Sequence, residues 1–401
     1  MNATLPEPDE QERLHSGRLL EVIRREIEAN SGAIDFSRFM ELALYADGMS
    51  ARAAGQGWPD GGFTPGLGYY TGGRQKFGQR GDFVTAPELG DVFARLLARP
   101  CADILTAIGN GNILEAGAGS GRLAAGLLGE LERMGRLPEH YYILDISNEL
   151  RARQADLIQR TVPSLANRVK WLSELPEKFR GVVLANELLD ALPVERFCIQ
   201  NKEVRQQQVA SKNNQLIWAE RPVDETIRAR VEPLALPNGY CSEVGLAAEA
   251  WTRSLADALE HGVVLFIDYG FPRAEFYHPQ RTGGTLMCHY RQRAHGDPLI
   301  LVGLQDITAH VDFTAIVQAG TEAGLDLLGY TSQAAFLIGC GLEDIMADPA
   351  MSDTTRLRLA NEINRLTSPA EMGELFKVMA LGRGMRGPLR GFQLQDRRGR
   401  L

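Results

Sequence analysis

Residues 110–121, Asn-Gly-Asn-Ile-Leu-Glu-Ala-Gly-Ala-Gly-Ser-Gly, constrain the fold more than any other stretch of the chain. Ile113 and Leu114 end a short apolar run that reads as a strand, and Gly117, Gly119 and Gly121 make a turn without side chains. Arg122 to Arg133 follow, with Leu123, Leu127, Leu128 and Leu131 at helical spacing. Strand, glycine turn and helix predict the first unit of a Rossmann-like sheet, with a ligand at the carboxyl end of the strand. Glycines suit such a turn because a Cβ would block a ligand lying against the backbone. The spacing departs from the dinucleotide fingerprint G-x-G-x-x-G. The third glycine comes one residue early, and Arg122 fills the fingerprint position.

Glu115 precedes the turn, and the resulting E-x-G-x-G-x-G resembles motif I of class I S-adenosylmethionine-dependent methyltransferases, whose ligand carries no pyrophosphate. Further blocks sharpen the resemblance. They are Gly68-Tyr69-Tyr70, the run from Gly81 to Glu88 (Gly-Asp-Phe-Val-Thr-Ala-Pro-Glu), and the run from Asn186 to Val194 (Asn-Glu-Leu-Leu-Asp-Ala-Leu-Pro-Val). Asp268-Tyr269-Gly270, Gly284-Thr285-Leu286 and the run from Asp306 to Phe313 complete the series. In this order, from about residue 60 to 380, they resemble the family of the mitochondrial complex I assembly factor MidA and its bacterial relatives. The resemblance implies a class I methyltransferase fold, S-adenosylmethionine as cofactor and a protein substrate. The family's mitochondrial member methylates an arginine of a respiratory complex I subunit; the targets of bacterial members do not follow from it.

A length of 401 residues allows two or three domains or one elaborated core, and 44% hydrophobic residues suffice to bury it. A net charge of −8 argues against non-specific nucleic-acid binding, which needs a basic surface. Five cysteines (Cys101, Cys198, Cys241, Cys288, Cys340) are scattered without a C-x-x-C pair, which reads as buried thiols in a reducing compartment. The acidic opening reads as neither a signal nor a transit peptide, and no apolar run approaches the roughly 20 residues of a membrane span. The expectation is a bacterial cytoplasmic protein.

Two helices are expected near 13–30 and 36–47, the second capped by Asp35. Residues 55–88 are rich in glycine and aromatics and read as a lid or substrate loop. The expected division is an N-terminal helical region, 1–100, followed by a methyltransferase domain, 101–401, carrying insertions near 197–255, 275–312 and 332–366. The 197–255 insertion reads as a hairpin with helices and 275–312 as a long irregular loop. Strands are expected at 141–146, 169–172, 181–186, 262–268, 325–330 and 375–381, giving a seven-stranded α/β sheet whose last strand is antiparallel.

Asp145, ending the second strand, is the candidate to accept hydrogen bonds from the ribose hydroxyls. Where family members often carry Glu, its reach is one methylene shorter. Trp171, on the third strand, suits either adenine stacking or core packing. Asn186, Glu187 and Asp190 fall at the end of the fourth strand, where the transferred methyl group belongs, and Pro193 limits any helix there. Carboxylates at that place suit a guanidinium acceptor, with Glu187 as the main catalytic candidate and Asp82 or Asp190 assisting. Glu115, Gly117, Gly119 and Gly121 complete the donor site, with Tyr70, Gly81 and Thr85 closing over it. His278, His289, His295 and His310 lack zinc-ligand spacing, so no metal is expected. An NAD-dependent oxidoreductase, a donor-binding assembly chaperone without turnover and a small-molecule methyltransferase are the rival readings.

Overall fold

Apolar runs that bury both faces belong in the middle of a parallel sheet. Two such runs, Val182–Ala185 and Val263–Ile267, lie side by side there. The computed structural model describes residues 5–46, 66–72, 84–347 and 351–401. The chain divides into two compact units of three segments each: 1–83, 191–248 and 274–310 form the first, and 84–190, 249–273 and 311–401 the second.

The second unit holds seven principal strands: β1 (Asn112–Ala116), β2 (Tyr141–Leu144), β3 (Val169–Leu172), β4 (Phe179–Asn186), β5 (Leu259–Phe271), β6 (Asp326–Ser332) and β7 (Phe376–Arg383). Their spatial order is β6-β7-β5-β4-β1-β2-β3, with the two-residue strand Val311–Asp312 pairing at the end of β5. Among the described residues of this sheet, only β7 runs against its neighbours, antiparallel to both β5 and β6. This is the class I methyltransferase arrangement, and the expected antiparallel last strand is borne out. The chain builds outward from β1 to β3 and then returns to lay β4 on the other side of β1. That reversal opens a crevice at the carboxyl ends of β1 and β4, where α/β sheets bind ligands.

Helices α1 (Val92–Ile108), α2 (Arg122–Arg133) and α3 (Asn148–Thr161) belong to this unit. Leu123, Leu127, Leu128 and Leu131 of α2 are buried and join a core with Ile113, Tyr141, Ile143, Val182 and Leu184. Ser147 caps α3 by accepting from the Leu150 amide at 3.3 Å.

The first unit contains a five-stranded sheet. Ala33–Asp35, Glu203–Lys212, Glu195–Gln200 and Cys241–Val244 follow one another, and Gln215–Pro222 pairs with Glu203–Lys212 as the expected hairpin. Three expectations are corrected here. The 275–312 stretch is not irregular throughout: Met287–Tyr290 pairs with both Arg293–His295 and Asp306–Thr308. Nor are all five cysteines thiols. Cys198 lies opposite Cys241 on adjacent antiparallel strands, and the two form a disulfide, leaving Cys101, Cys288 and Cys340 as buried thiols. Asp35 precedes the helix Phe36–Tyr45 but makes no side-chain cap; its carboxylate instead accepts from Gln208 and Arg221, each at 2.9 Å. Among the described residues, no helix is long and apolar enough to cross a membrane.

Candidate active site

The glycine turn leaves β1 with Gly117, Gly119 and Gly121 all in the left-handed region, at φ 70°, 52° and 85°. Gly121 caps α2, and a Cβ on it would lie 3.1 Å from the Gln154 Cα. Gln154 is fully buried on α3 and ties three parts of the site together. Its amide nitrogen donates to the Gly119 carbonyl at 3.0 Å and to Asp145 Oδ2 at 2.8 Å, while its oxygen accepts from the Trp171 indole at 2.9 Å. Asp145 follows β2, largely buried, and its Oδ1 accepts from the Ser147 amide at 2.9 Å. Trp171 therefore makes a fixed polar contact with Gln154.

Glu115 sits within β1, 3% exposed, and accepts from the Tyr141 hydroxyl at 2.6 Å. Burial pushes its carboxyl up to about 7, against the lowering effect of the Tyr141 bond.

β4 pairs with β1 through Ala185 and Ala116, so the residues that follow it emerge beside the glycine turn. Glu187 continues the ladder by donating its amide to the Ile267 carbonyl at 2.8 Å, yet it takes φ 50°, a strained conformation for a side chain of this kind. Its Oε1 accepts from the Asn186 side chain at 3.2 Å and from the Ala86 amide at 3.3 Å. Thr85 stands immediately before the short helix Ala86–Leu89. That segment also reaches the glycine turn: Ser120 donates to Glu88, and the Arg122 Nε donates to the Pro87 carbonyl at 3.2 Å. No helix follows Asp190; residues 187–192 form a turn.

Of the residues singled out in the sequence, the second unit brings Thr85, Glu115, Gly117, Gly119, Gly121, Asp145, Asn186, Glu187 and Asp190 to the carboxyl ends of β1, β2 and β4 or into the strand beneath them. Tyr70 belongs to the first unit, where its hydroxyl donates to Asp306 at 2.8 Å and its ring stacks on Tyr45. Gly81 and Asp82 lie outside the described residues.

Asp268, on β5, was not among the site candidates. It is fully buried, and its Oδ2 accepts from the amides of Leu188 at 3.2 Å, Leu189 at 2.9 Å and Asp190 at 3.3 Å. Burial, reinforced by the neighbouring Asp190 and Glu187 carboxylates, holds its carboxyl well above the usual range. Two signals were available: it opens the Asp268-Tyr269-Gly270 block, and it ends the apolar run of β5 as Asn186 and Glu187 end that of β4. Gln154 left a fainter one, a polar residue between Leu150 and Ile158 on a helix's apolar face.

A glycine turn after β1, an acidic residue after β2 and a polar cluster after β4 define a class I methyltransferase. Residues 96–331, more than half of the chain, match the family described as "Putative S-adenosyl-L-methionine-dependent methyltransferase". The chain belongs to this family.

It is 28% identical to the Drosophila melanogaster protein named "Protein arginine methyltransferase NDUFAF7 homolog, mitochondrial", covering 80% of this chain and 79% of that one. The Bos taurus protein of corresponding name is 26% identical, over 79% and 77%. A crystal structure of a Burkholderia thailandensis protein bound to S-adenosyl-homocysteine superimposes with a TM-score of 0.92 at 46% identity, covering 99% of this chain and 100% of that one.

The residues present fit the cofactor of this family. The turn offers backbone without side chains, and Asn186 Oδ1 is buried with no hydrogen-bond partner among the described residues, an acceptor available to a bound donor group.

Proposed function

We propose that this methyltransferase acts on an arginine guanidinium of a protein substrate. The observation that carries the reading is the grouping of Glu187, Asp190 and buried Asp268 where β4 and β5 end. Three carboxylates this close repel one another, and a cation between Glu187 and Asp190 relieves that repulsion. A planar guanidinium meets carboxylates through paired, charge-assisted bonds, which fix its orientation as well as its place. The naming of the NDUFAF7 relatives as protein arginine methyltransferases supports the same acceptor.

S-adenosylmethionine supplies a methyl group on a positively charged sulfur. Gly117, Gly119 and Gly121 would take its amino-acid portion against the backbone, and Asp145, held by Gln154, would accept from its ribose hydroxyls. Glu187 and Asp190 orient the acceptor nitrogen, and Glu187 takes the proton released after displacement. Holding nucleophile and methyl carbon in line supplies roughly 7–11 kcal/mol of barrier reduction in well-oriented reactions, so orientation is the main task of these side chains.

The test is a calorimetric titration with S-adenosylmethionine, S-adenosylhomocysteine and NADH, followed by transfer of a labelled methyl group to arginine-containing peptides. The family resemblance makes a respiratory complex I subunit the first protein acceptor to try. Methylarginine in the acid hydrolysate supports the reading. Label on lysine, label on a small molecule, or binding of the donor without any transfer refutes it.

A further inference from the structure

Asp268 collects three consecutive backbone amides, Leu188, Leu189 and Asp190, on one carboxylate oxygen, and its other oxygen accepts from the Tyr269 amide at 2.9 Å. Successive amides that converge in this way form an anion nest. Here the acceptor in the nest is the chain's own carboxyl group, reaching across from the neighbouring strand. We propose that Asp268 is the positioning residue of the acceptor site, fixing the 187–190 turn so that the carboxylates of Glu187 and Asp190 are presented together; this rests on the arginine reading above.

The turn is pinned at both ends of its departure from the sheet. The Glu187 amide is the last to bond within it, to the Ile267 carbonyl, and the next three amides all go to Asp268, the residue after Ile267. Between these anchors Glu187 is held at φ 50°, a conformation that persists only where its surroundings over-determine it. Without the Asp268 oxygen, three amides lose their acceptor and Glu187 loses the restraint that keeps it left-handed. Its carboxylate then swings with the backbone. Asp268 itself is fully buried, so it acts through the turn and not on the substrate. The turn approaches the donor turn through the flexible end of Leu188, whose Cδ1 lies 2.9 Å from where a Cβ on Gly117 would stand, and through Glu187, which bonds the Ala86 amide of the segment that reaches Ser120 and Arg122. The amides that Asp268 holds belong to the 188–190 turn and to Tyr269, so loss of the clamp falls on acceptor geometry before donor binding.

Two variants of the full chain test this. Asp268→Ala removes the acceptor oxygen, whereas Asp268→Asn keeps one in the same shape. Hydrogen exchange with S-adenosylhomocysteine bound should show the 188–190 amides opening about tenfold faster or more in Asp268→Ala, with a smaller change in Asp268→Asn. S-adenosylhomocysteine affinity should stay within about twofold of the parent protein. On an arginine peptide, kcat should fall about 10²-fold in Asp268→Ala with the KM for S-adenosylmethionine unchanged, and Asp268→Asn should recover part of it.

Unchanged exchange at 188–190 overturns the proposal. So does a general loss, in which exchange across the whole sheet and donor affinity fail together in both variants, because that marks a structural role only. Parental transfer rates in Asp268→Ala overturn it as well. If the parent protein labels no arginine, the acceptor reading fails by itself, and the exchange measurement still decides whether Asp268 holds the turn.

Discussion

Gly121→Ala is the sharpest probe of the donor turn, because two costs meet at one position. Gly121 has φ 85°, where an alanine pays about 1–2 kcal/mol for the clash of its Cβ with the backbone. The same Cβ would lie 3.1 Å from Gln154 Cα and 3.3 Å from its Cβ and Cγ. These are atoms near the backbone of a fully buried residue whose amide group is committed to Gly119, Asp145 and Trp171. They cannot give way cheaply, and overpacking of this kind adds about 1–3 kcal/mol. A combined effect of about 2–5 kcal/mol falls on the turn and on the bonds that hold Asp145, which corresponds to a rise in the S-adenosylhomocysteine Kd of roughly 30-fold or more. Gly135→Ala is the matched control: φ is 66°, but no described residue lies within 4 Å of its added Cβ. It should cost about 1–2 kcal/mol in urea unfolding and leave donor affinity unchanged. Calorimetric titration of both folded variants reads the contrast directly. A Gly121→Ala protein that binds as the parent does would refute both the placement of the donor at this turn and the role given to Gln154.

Three further outcomes are expected. Glu115 is lifted from 4.5 to about 7 by burial, so its protonated form favours the fold: the contribution is full below pH 4.5 and disappears as pH rises through about 7. That is worth roughly 3 kcal/mol, and Glu115→Gln, which does not titrate, should lose correspondingly less stability than the parent between urea melts at pH 5 and pH 8; parallel losses would contradict it. Glu187→Gln should keep donor affinity while methyl transfer drops about 10²-fold, and a fully active variant would remove Glu187 from the mechanism. Cys198→Ser opens a link spanning 43 residues and should lower stability by roughly 2–4 kcal/mol, an effect that dithiothreitol on the parent protein should reproduce and a denaturant titration would detect.

The sheet was legible because its signals are local. Strands buried on both faces read as unbroken apolar runs, as at 181–186 and 262–268, and the glycine turn announces itself by what its residues lack. The boundaries were less so: β5 runs from Leu259 to Phe271 because it pairs beyond the apolar stretch itself, with β4 at its start and with β7 and then Val311–Asp312 at its end. The three short strands between Met287 and Thr308 were hidden for the opposite reason, each too brief to show alternation.

Pairing across sequence distance was the other blind spot. Cys198 and Cys241 meet only because Glu195–Gln200 and Cys241–Val244 fall into antiparallel register, which no cysteine spacing encodes. Asp268 shows the limit most clearly. Glu187 and Asp190 could be picked out because carboxylates beside a methyl donor imply a cationic partner. The partners of Asp268 are backbone amides, which every residue but proline carries, so no pattern in Leu188, Leu189 and Asp190 could advertise them. A side chain that recognises only backbone leaves its mark on its own strand alone, as one charged residue at the end of an apolar run. Such a residue, next to a strand whose own end carries the reacting groups, has either to be neutralised or to be put to use, because burying it without partners costs several kcal/mol. Here four amides satisfy it, and three of them belong to the turn that carries Asp190 and follows directly on Glu187.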